Sequence, residues 1–131
     1  MHDRGVDRDD VRRWVDRYET AWRTAGTDSL TELFTDNAWY LVSPWADPAE
    51  GLAAIQELWE SERDGPDEVF TMRSEVVAVE GLDAVLRVEV DYERPRSGSW
   101  RDLWVLRFDR DGRCRFFEEW PFAPPGQTEG P

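Results

Sequence analysis

The stretch CRFFEEWPF, residues 114–122, sets two carboxylates side by side in a run that otherwise reads as a buried aromatic strand. Side chains alternate faces along a strand, so Glu118 and Glu119 point opposite ways unless a bulge intervenes. An inward carboxylate among aromatic rings is a general acid or base, an ion-pair partner of an arginine, or the neighbour of a solvated acid. Tyr18 is the second group of interest. It lies on a helix face that must meet the sheet, where its phenol either donates to a ligand oxygen or bonds a core neighbour.

The rest of the catalytic repertoire is thin. All 16 basic residues are arginine, and without lysine neither Schiff-base chemistry nor a pyridoxal anchor is available. The single histidine, His2, sits in a polar N-terminal segment. The lone Cys114 has no disulfide partner and lies in an apolar run, which reads as a small buried side chain in a cytoplasmic protein. Catalysis, if present, must use carboxylates, tyrosine or water, and no cofactor or metal is expected.

These groups must be positioned by the elements around them. A chain of 131 residues is one domain with room for a real core. A net charge of −13 argues against nucleic acid and anionic membranes as partners. No apolar run approaches the roughly 18 residues of a membrane span, and MHDRGVDRDD lacks the apolar centre of a signal peptide. Eight tryptophans belong in a core, a pocket or an interface, because eight exposed indoles would make the chain sticky.

Residues 1–9 read as a flexible segment and 123–131 as a flexible Pro/Gly-rich tail around a domain at 10–122. Val11, Trp14, Val15, Tyr18, Trp22 and Ala25 recur at helical spacing, with Asp9 or Asp10 as cap and Gly26 as stop. A short helix follows Asp28, then a strand over 38–43. Asp47, Pro48 and Glu50 read as a capping box for a helix whose stripe is Leu52, Ile55, Leu58 and Trp59. Strands are expected at 69–79, 84–94, 99–109 and 113–122, with short turns that imply an antiparallel meander. The result is an α+β domain: a cone-shaped, curved antiparallel sheet of about five strands with three N-terminal-half helices on its concave face. The open end of such a cone is a natural ligand site.

The segments RYETAWRTAGTDSLTELFTDNAWY, GLAAIQELWES and WVLRFDRDGRCRFFEEW, in this order, resemble the nuclear transport factor 2-like superfamily in its SnoaL-like branch. That fold hosts isomerases, dehydratases, epoxide hydrolases, polyketide cyclases and binders without activity. Similarity to the ketosteroid isomerase branch implies that its oxyanion tyrosine falls on Tyr18. Its general base falls on Val42, its neutral acid on Trp104 and its supporting tyrosine on Trp59, so one of four polar positions survives. In the same register Asp102 shares the concave face with Trp104, as an acid with a raised pKa, an exposed strand-end acid, or one paired with an arginine such as Arg73. Phe117 and Glu119 fall on pocket positions, whereas the more apolar set of simple alternation puts Glu118 inside; a bulge near Phe116 or Phe117 would reconcile the two.

The expectation is therefore a SnoaL-like domain that binds a small apolar or aromatic molecule, lined by Trp22, Tyr40, Val42, Trp45, Trp59, Trp104 and Phe117. Trp45 lies in the loop SPWADP and is expected to cover a pocket mouth or an interface. Asp102, Glu119 and Tyr18 are the candidates for acid–base work of the cyclase, isomerase, dehydratase or epoxide-hydrolase type. The alternative is a binding or dimerisation module without activity. A homodimer is expected; the face of the strand over 84–94 that carries Val85, Arg87, Glu89, Asp91 and Glu93 reads as solvated, with the border of a sheet-face dimer as the other reading.

Overall fold

The computed structural model describes residues 5–63, 65 and 67–127. His2 lies outside the described residues. Helix α1 spans Arg8–Arg23, α2 Leu30–Leu33 and α3 Leu52–Glu62. The strands are β1 Phe34–Leu41, β2 Ala49–Glu50, β3 Val69–Glu80, β4 Asp83–Arg94, β5 Gly98–Phe108 and β6 Cys114–Phe122.

Helix α1 starts a turn earlier than its apolar spacing suggests. Asp7 is the N-cap, accepting from the Asp10 amide at 2.8 Å, while the Asp10 carboxylate accepts from the Asp7 amide at 3.1 Å. This reciprocal capping satisfies two N–H groups the first turn would leave bare. The helix buries Val11, Trp14, Val15, Tyr18 and Ala21.

The expected capping box of α3 does not form. Ala49 and Glu50 instead pair with Tyr40 and Trp39 as a short antiparallel strand. Gly51, at φ 92°, turns the chain into the helix and donates its amide to the Ala38 carbonyl at 2.7 Å. The exposed backbone edge of β1 thus outcompetes a local cap, and only glycine takes that φ without strain.

The sheet has six strands, not five, in the order β2-β1-β6-β5-β4-β3. It is also mixed: β3 to β6 form the expected antiparallel meander, but β1 runs parallel to β6. Short turns announce their own hairpins, whereas the β1–β6 pairing joins segments far apart in the chain and leaves no local signal. The chain ends recruit more than expected. Val6 is buried and its amide donates to Gly81 at 2.9 Å, and Arg8 Nη1 donates to the Val76 carbonyl at 2.6 Å. The Gln127 amide bonds the Ser99 backbone in both directions, at 2.8 and 2.9 Å. No described helix is long and apolar enough to cross a membrane.

The core lies between the helices and the concave face of the curved sheet, and it is built from rings. Phe117 stacks on Tyr40 at 4.3 Å and on Tyr18 at 5.6 Å, with both pairs within 8° of parallel. Trp14 meets Phe34 and Phe108 edge to face, and its indole N–H donates to the Leu33 carbonyl at 3.0 Å.

Candidate functional site

The residue that settles which glutamate faces inward is Arg115. Phe108 pairs with Cys114 and Arg107 with Phe116, so Arg115 is an extra residue in β6. This bulge lets Cys114 and Phe117 both point into the core, each fully buried. Downstream, regular pairing sets Glu119 opposite Trp104 and Glu118 opposite Val105. Glu119 therefore faces the concave side. Glu118 lies on the outer face, where it accepts from the Trp120 indole at 2.8 Å.

Asp102 stands two residues before Trp104 on β5, on the same face, diagonal to Glu119. It is 4% exposed, and Thr35 is the only other polar residue buried as deeply among those described. Of the two neighbouring carboxyls, Glu119 is the one whose surroundings favour the protonated form more strongly. Burial first, and then the charge and hydrogen bond of Asp102, hold the Glu119 carboxyl well above the ordinary carboxylic range. Burial also raises Asp102, against the hydrogen bonds that favour its charged form. Two interior carboxyls this close cannot both ionise cheaply, so they titrate as a pair and retain one proton over a wide pH range.

No arginine neutralises them. Arg73, the partner considered for Asp102, lies on the outer face and bonds Glu89 at 2.6 Å. Among the described residues, no ion pair involves Asp102 or Glu119, and the second charge acting on Glu119, after Asp102, is another acid, Glu62.

Two phenols complete the polar end. The Tyr18 and Tyr40 hydroxyls are 2.7 Å apart and both buried. Burial raises both well above the usual phenol value, with a further push from Glu119, so they remain protonated donors. Three buried polar atoms nearby lack a hydrogen-bond partner: Asp102 Oδ1, Trp104 Nε1 and Trp59 Nε1. The Trp104 N–H leans toward Asp102 and that of Trp59 toward the Tyr40 hydroxyl, neither with hydrogen-bond geometry. Unpaired buried polar groups are uncommon because each forfeits its hydration.

These groups open into a cavity of about 720 Å³, a size suited to a molecule of a few rings. Tyr18, Trp22, Tyr40, Val42, Trp59 and Trp104 line it, together with Asp102 and Glu119. Two expected lining residues do not. Phe117 lies beneath the cavity, packed between Tyr18, Tyr40 and Trp104, because the bulge turns it into the core. Trp45 is 97% exposed in the loop after β1 and covers no part of the cavity.

The structure adds residues the sequence reading passed over. Glu62 lines the cavity from the end of α3, and its spacing of three from Trp59 already continued that helix's apolar stripe. Tyr92 and Trp100 join from β4 and β5. Both continue the inward alternation of their strands, a signal that was present. Glu68, Arg96 and Gln127 come from connecting segments with no periodicity to reveal them. A smaller groove of about 390 Å³, between α3 and the loop after β1, shares only Tyr40, Val42 and Leu58 with the main cavity.

Comparison with known proteins bears on the fold. Residues 11–117 match the model of the SnoaL-like domain. Among solved structures, a candidate SnoaL-like polyketide cyclase from Jannaschia sp. CCS1 superposes with a TM-score of 0.71 at 15% identity, covering 92% of this chain and 91% of that one. SalBIII, an epoxide hydrolase/cyclase-like enzyme of pyran ring formation in the polyether salinomycin, gives 0.72 at 18% identity over 88% and 93% of the two chains. An M. tuberculosis LEH-like epoxide hydrolase gives 0.64 at 12% identity over 87% and 84%. No curated protein matches the sequence.

Proposed function

The chain belongs to the SnoaL-like domain family, and we propose that it binds a small, largely apolar organic molecule in the aromatic cavity and transfers protons to and from it through Asp102 and Glu119. The observation that carries this reading is the pair of inward carboxyls, Asp102 and Glu119, diagonal to each other across β5 and β6 on the cavity wall, with no ion pair to either among the described residues. One carboxyl is then an acid and the other a base at the same pH.

The pair suits ring closure, epoxide opening or isomerisation. In each, Glu119 gives its proton to the substrate oxygen that gains electron density, and Asp102 takes one from an attacking hydroxyl or an acidic C–H. The pair ends with one proton, so the balance closes. Tyr18 and Tyr40 are held as phenols; one uses its single O–H in the bond between them, and the other donates to the same oxygen and spreads its developing charge.

Turnover across a panel of ketones, enols, hydroxy-epoxides and simple epoxides tests the reading. Asp102→Asn and Glu119→Gln are each expected to lower kcat by 100-fold or more, on the order of general acid–base contributions, while the fold is retained. A second reading, a binding module without activity, is supported by the enclosing rings alone. It predicts that a retained ligand survives unchanged and that both amides bind it as well as the parent chain.

The homodimer expected from the sequence is also proposed. It is supported by an apolar strip on the outer face of the sheet, where Trp39, Leu103, Trp120 and Phe122 are 37–55% exposed. Sedimentation at micromolar concentration checks it. A cytoplasmic location is proposed on the single unpaired cysteine, which is buried.

A further inference from the structure

The composition of the cavity wall asks for a particular charge on the ligand. Four acids face it, Asp102 and Glu119 from the sheet, Glu62 from α3 and Glu68 from the segment before β3. Glu68 is engaged, accepting from the Trp22 indole at 2.8 Å. Glu62 forms no ion pair among the described residues, and its charge bears on Glu119. Asp102 Oδ1 is buried and accepts nothing.

Between the acids stand the faces and edges of Tyr18, Trp22, Trp59, Tyr92, Trp100 and Trp104. Ring faces attract cations, and indole does so best. The protein already sets a guanidinium over two lining rings, Trp59 and Phe70. The Arg63 guanidinium sits 5.9 Å from the Trp59 ring and that of Arg23 3.9 Å from Phe70. Neither enters the cavity: Arg63 donates to the carbonyls of Thr24 and Gly26, and Arg23 to Phe70 and Glu19. The one cation in the lining, Arg96, is engaged in its own interaction. An anion entering this space would meet four acids against one cation, Arg96.

We infer that the natural ligand carries a protonated amine, seated among the rings with its charge balanced by Glu62 and by the ionised member of the Asp102–Glu119 pair. This rests on the cavity being the binding site, as proposed above, and adds the charge of what enters it. The bulk of a few rings fills the remaining space. A bare metal ion fits less well, because among the described residues no three His, Cys, Asp or Glu side chains gather closely enough to hold one.

Binding then couples to protonation. A cation beside the pair favours its fully ionised form, so amine affinity rises with pH as the shared proton leaves, until the amine itself loses its charge. The ionisable groups around Glu119 are Asp102 on β5, Glu62 on α3, Tyr18 on α1, Tyr40 on β1 and Tyr92 on β4, with Glu68 and Arg96 at the rim. Burial keeps Tyr18 and Tyr40 neutral in this range.

The test uses the full chain and three probes of one shape: 4-tert-butylbenzylamine, 4-tert-butylbenzyl alcohol and 4-tert-butylbenzoate, titrated by calorimetry between pH 6 and 9. The amine is expected to bind about tenfold tighter than the alcohol, and the benzoate weakest. Amine binding should release protons, seen as heats that depend on the buffer's ionisation enthalpy. Glu62→Gln should weaken the amine several-fold and leave the alcohol unchanged, and Glu119→Gln should abolish the proton release. Should the alcohol bind as tightly as the amine, or amine affinity not change with pH, the charge inference fails while the cavity reading stands. Should none of the three bind or displace a retained ligand, both fail together.

Discussion

Glu118 and Glu119 are consecutive residues of one strand, and they face opposite electrostatic worlds. On the outer face, acids are matched one by one: Arg73 bonds Glu89 at 2.6 Å, Arg87 bonds Glu75 at 3.0 Å and Arg107 bonds Asp83 at 2.8 Å. There the Ser99 hydroxyl and Arg101 hold the Asp91 carboxyl below its usual value. On the inner face, Asp102 and Glu119 meet each other and Glu62, and both are pushed up. A sheet with arginines to spare on one side leaves its buried acids without any on the other. Such an arrangement costs stability, which is why the proposed site lies on the concave face. The apolar residues are split the other way. Rings fill the inner face, yet Trp39, Trp120 and Phe122 remain exposed on the outer one.

Packing offers the largest way to break this contrast. Phe117 is fully buried and touches Tyr18, Tyr40, Trp104 and Phe34, whereas Trp120, three residues on, is 40% exposed. Phe117→Ala should cost about 3–5 kcal/mol in urea denaturation. Trp120→Ala should cost less than about 1 kcal/mol in the monomer. A larger loss at Trp120 that grows with protein concentration would sharpen the comparison differently, since it would place a second copy over the outer face.

The pH dependence of stability is the next test. Glu119 has a folded pKa well above its ordinary 4.5, so between those two values the native state holds a proton that the unfolded state has released. Stability must therefore fall as pH rises through that window, by up to about 1.4 kcal/mol per pH unit. Glu119→Gln removes most of this slope and should stabilise the chain above neutrality, since the amide can still donate to Asp102. Glu118→Gln should change melting temperature little at any pH. Equal slopes in the two variants would mean that Glu119 is not held protonated by its surroundings.

How much of this contrast the sequence disclosed depends on how local its causes are. Alternation in β4 and β5 is a property of successive residues, and it placed Asp102 and Trp104 on one face correctly once a register was chosen. Resolving Glu118 from Glu119 required the extra residue Arg115, which alters parity without altering composition. Simple alternation pointed to Glu118 for that reason. The parallel neighbour β1 and the short strand β2 come from pairings between distant segments, where loop closure hides any periodic signal. Trp45 read as a cover because loop tryptophans often are, but nothing local says which way a loop turns. The absence of arginine beside the acids was invisible as well, since 16 arginines distributed along the chain made pairing the simpler expectation.

The smallest expected effect probes the outer face alone. Arg101 stands between Glu89 at 3.6 Å and Asp91 at 3.5 Å, with half its side chain exposed, on the same strand as Asp102 but the opposite face. Exposed ion pairs of this length contribute on the order of 0.3–1 kcal/mol and are screened once the Debye length falls to about 3 Å. Arg101→Gln should therefore cost less than about 1 kcal/mol in low salt, and the loss should vanish in 1 M sodium chloride. The Glu119 slope should persist in the same salt, because a buried pair is shielded from the ions that screen the surface. A salt-resistant loss above about 2 kcal/mol at Arg101 would mean that its charge reaches the interior acids through the sheet. The unneutralised pair would then be partly neutralised after all, and the case for a cationic ligand would weaken with it.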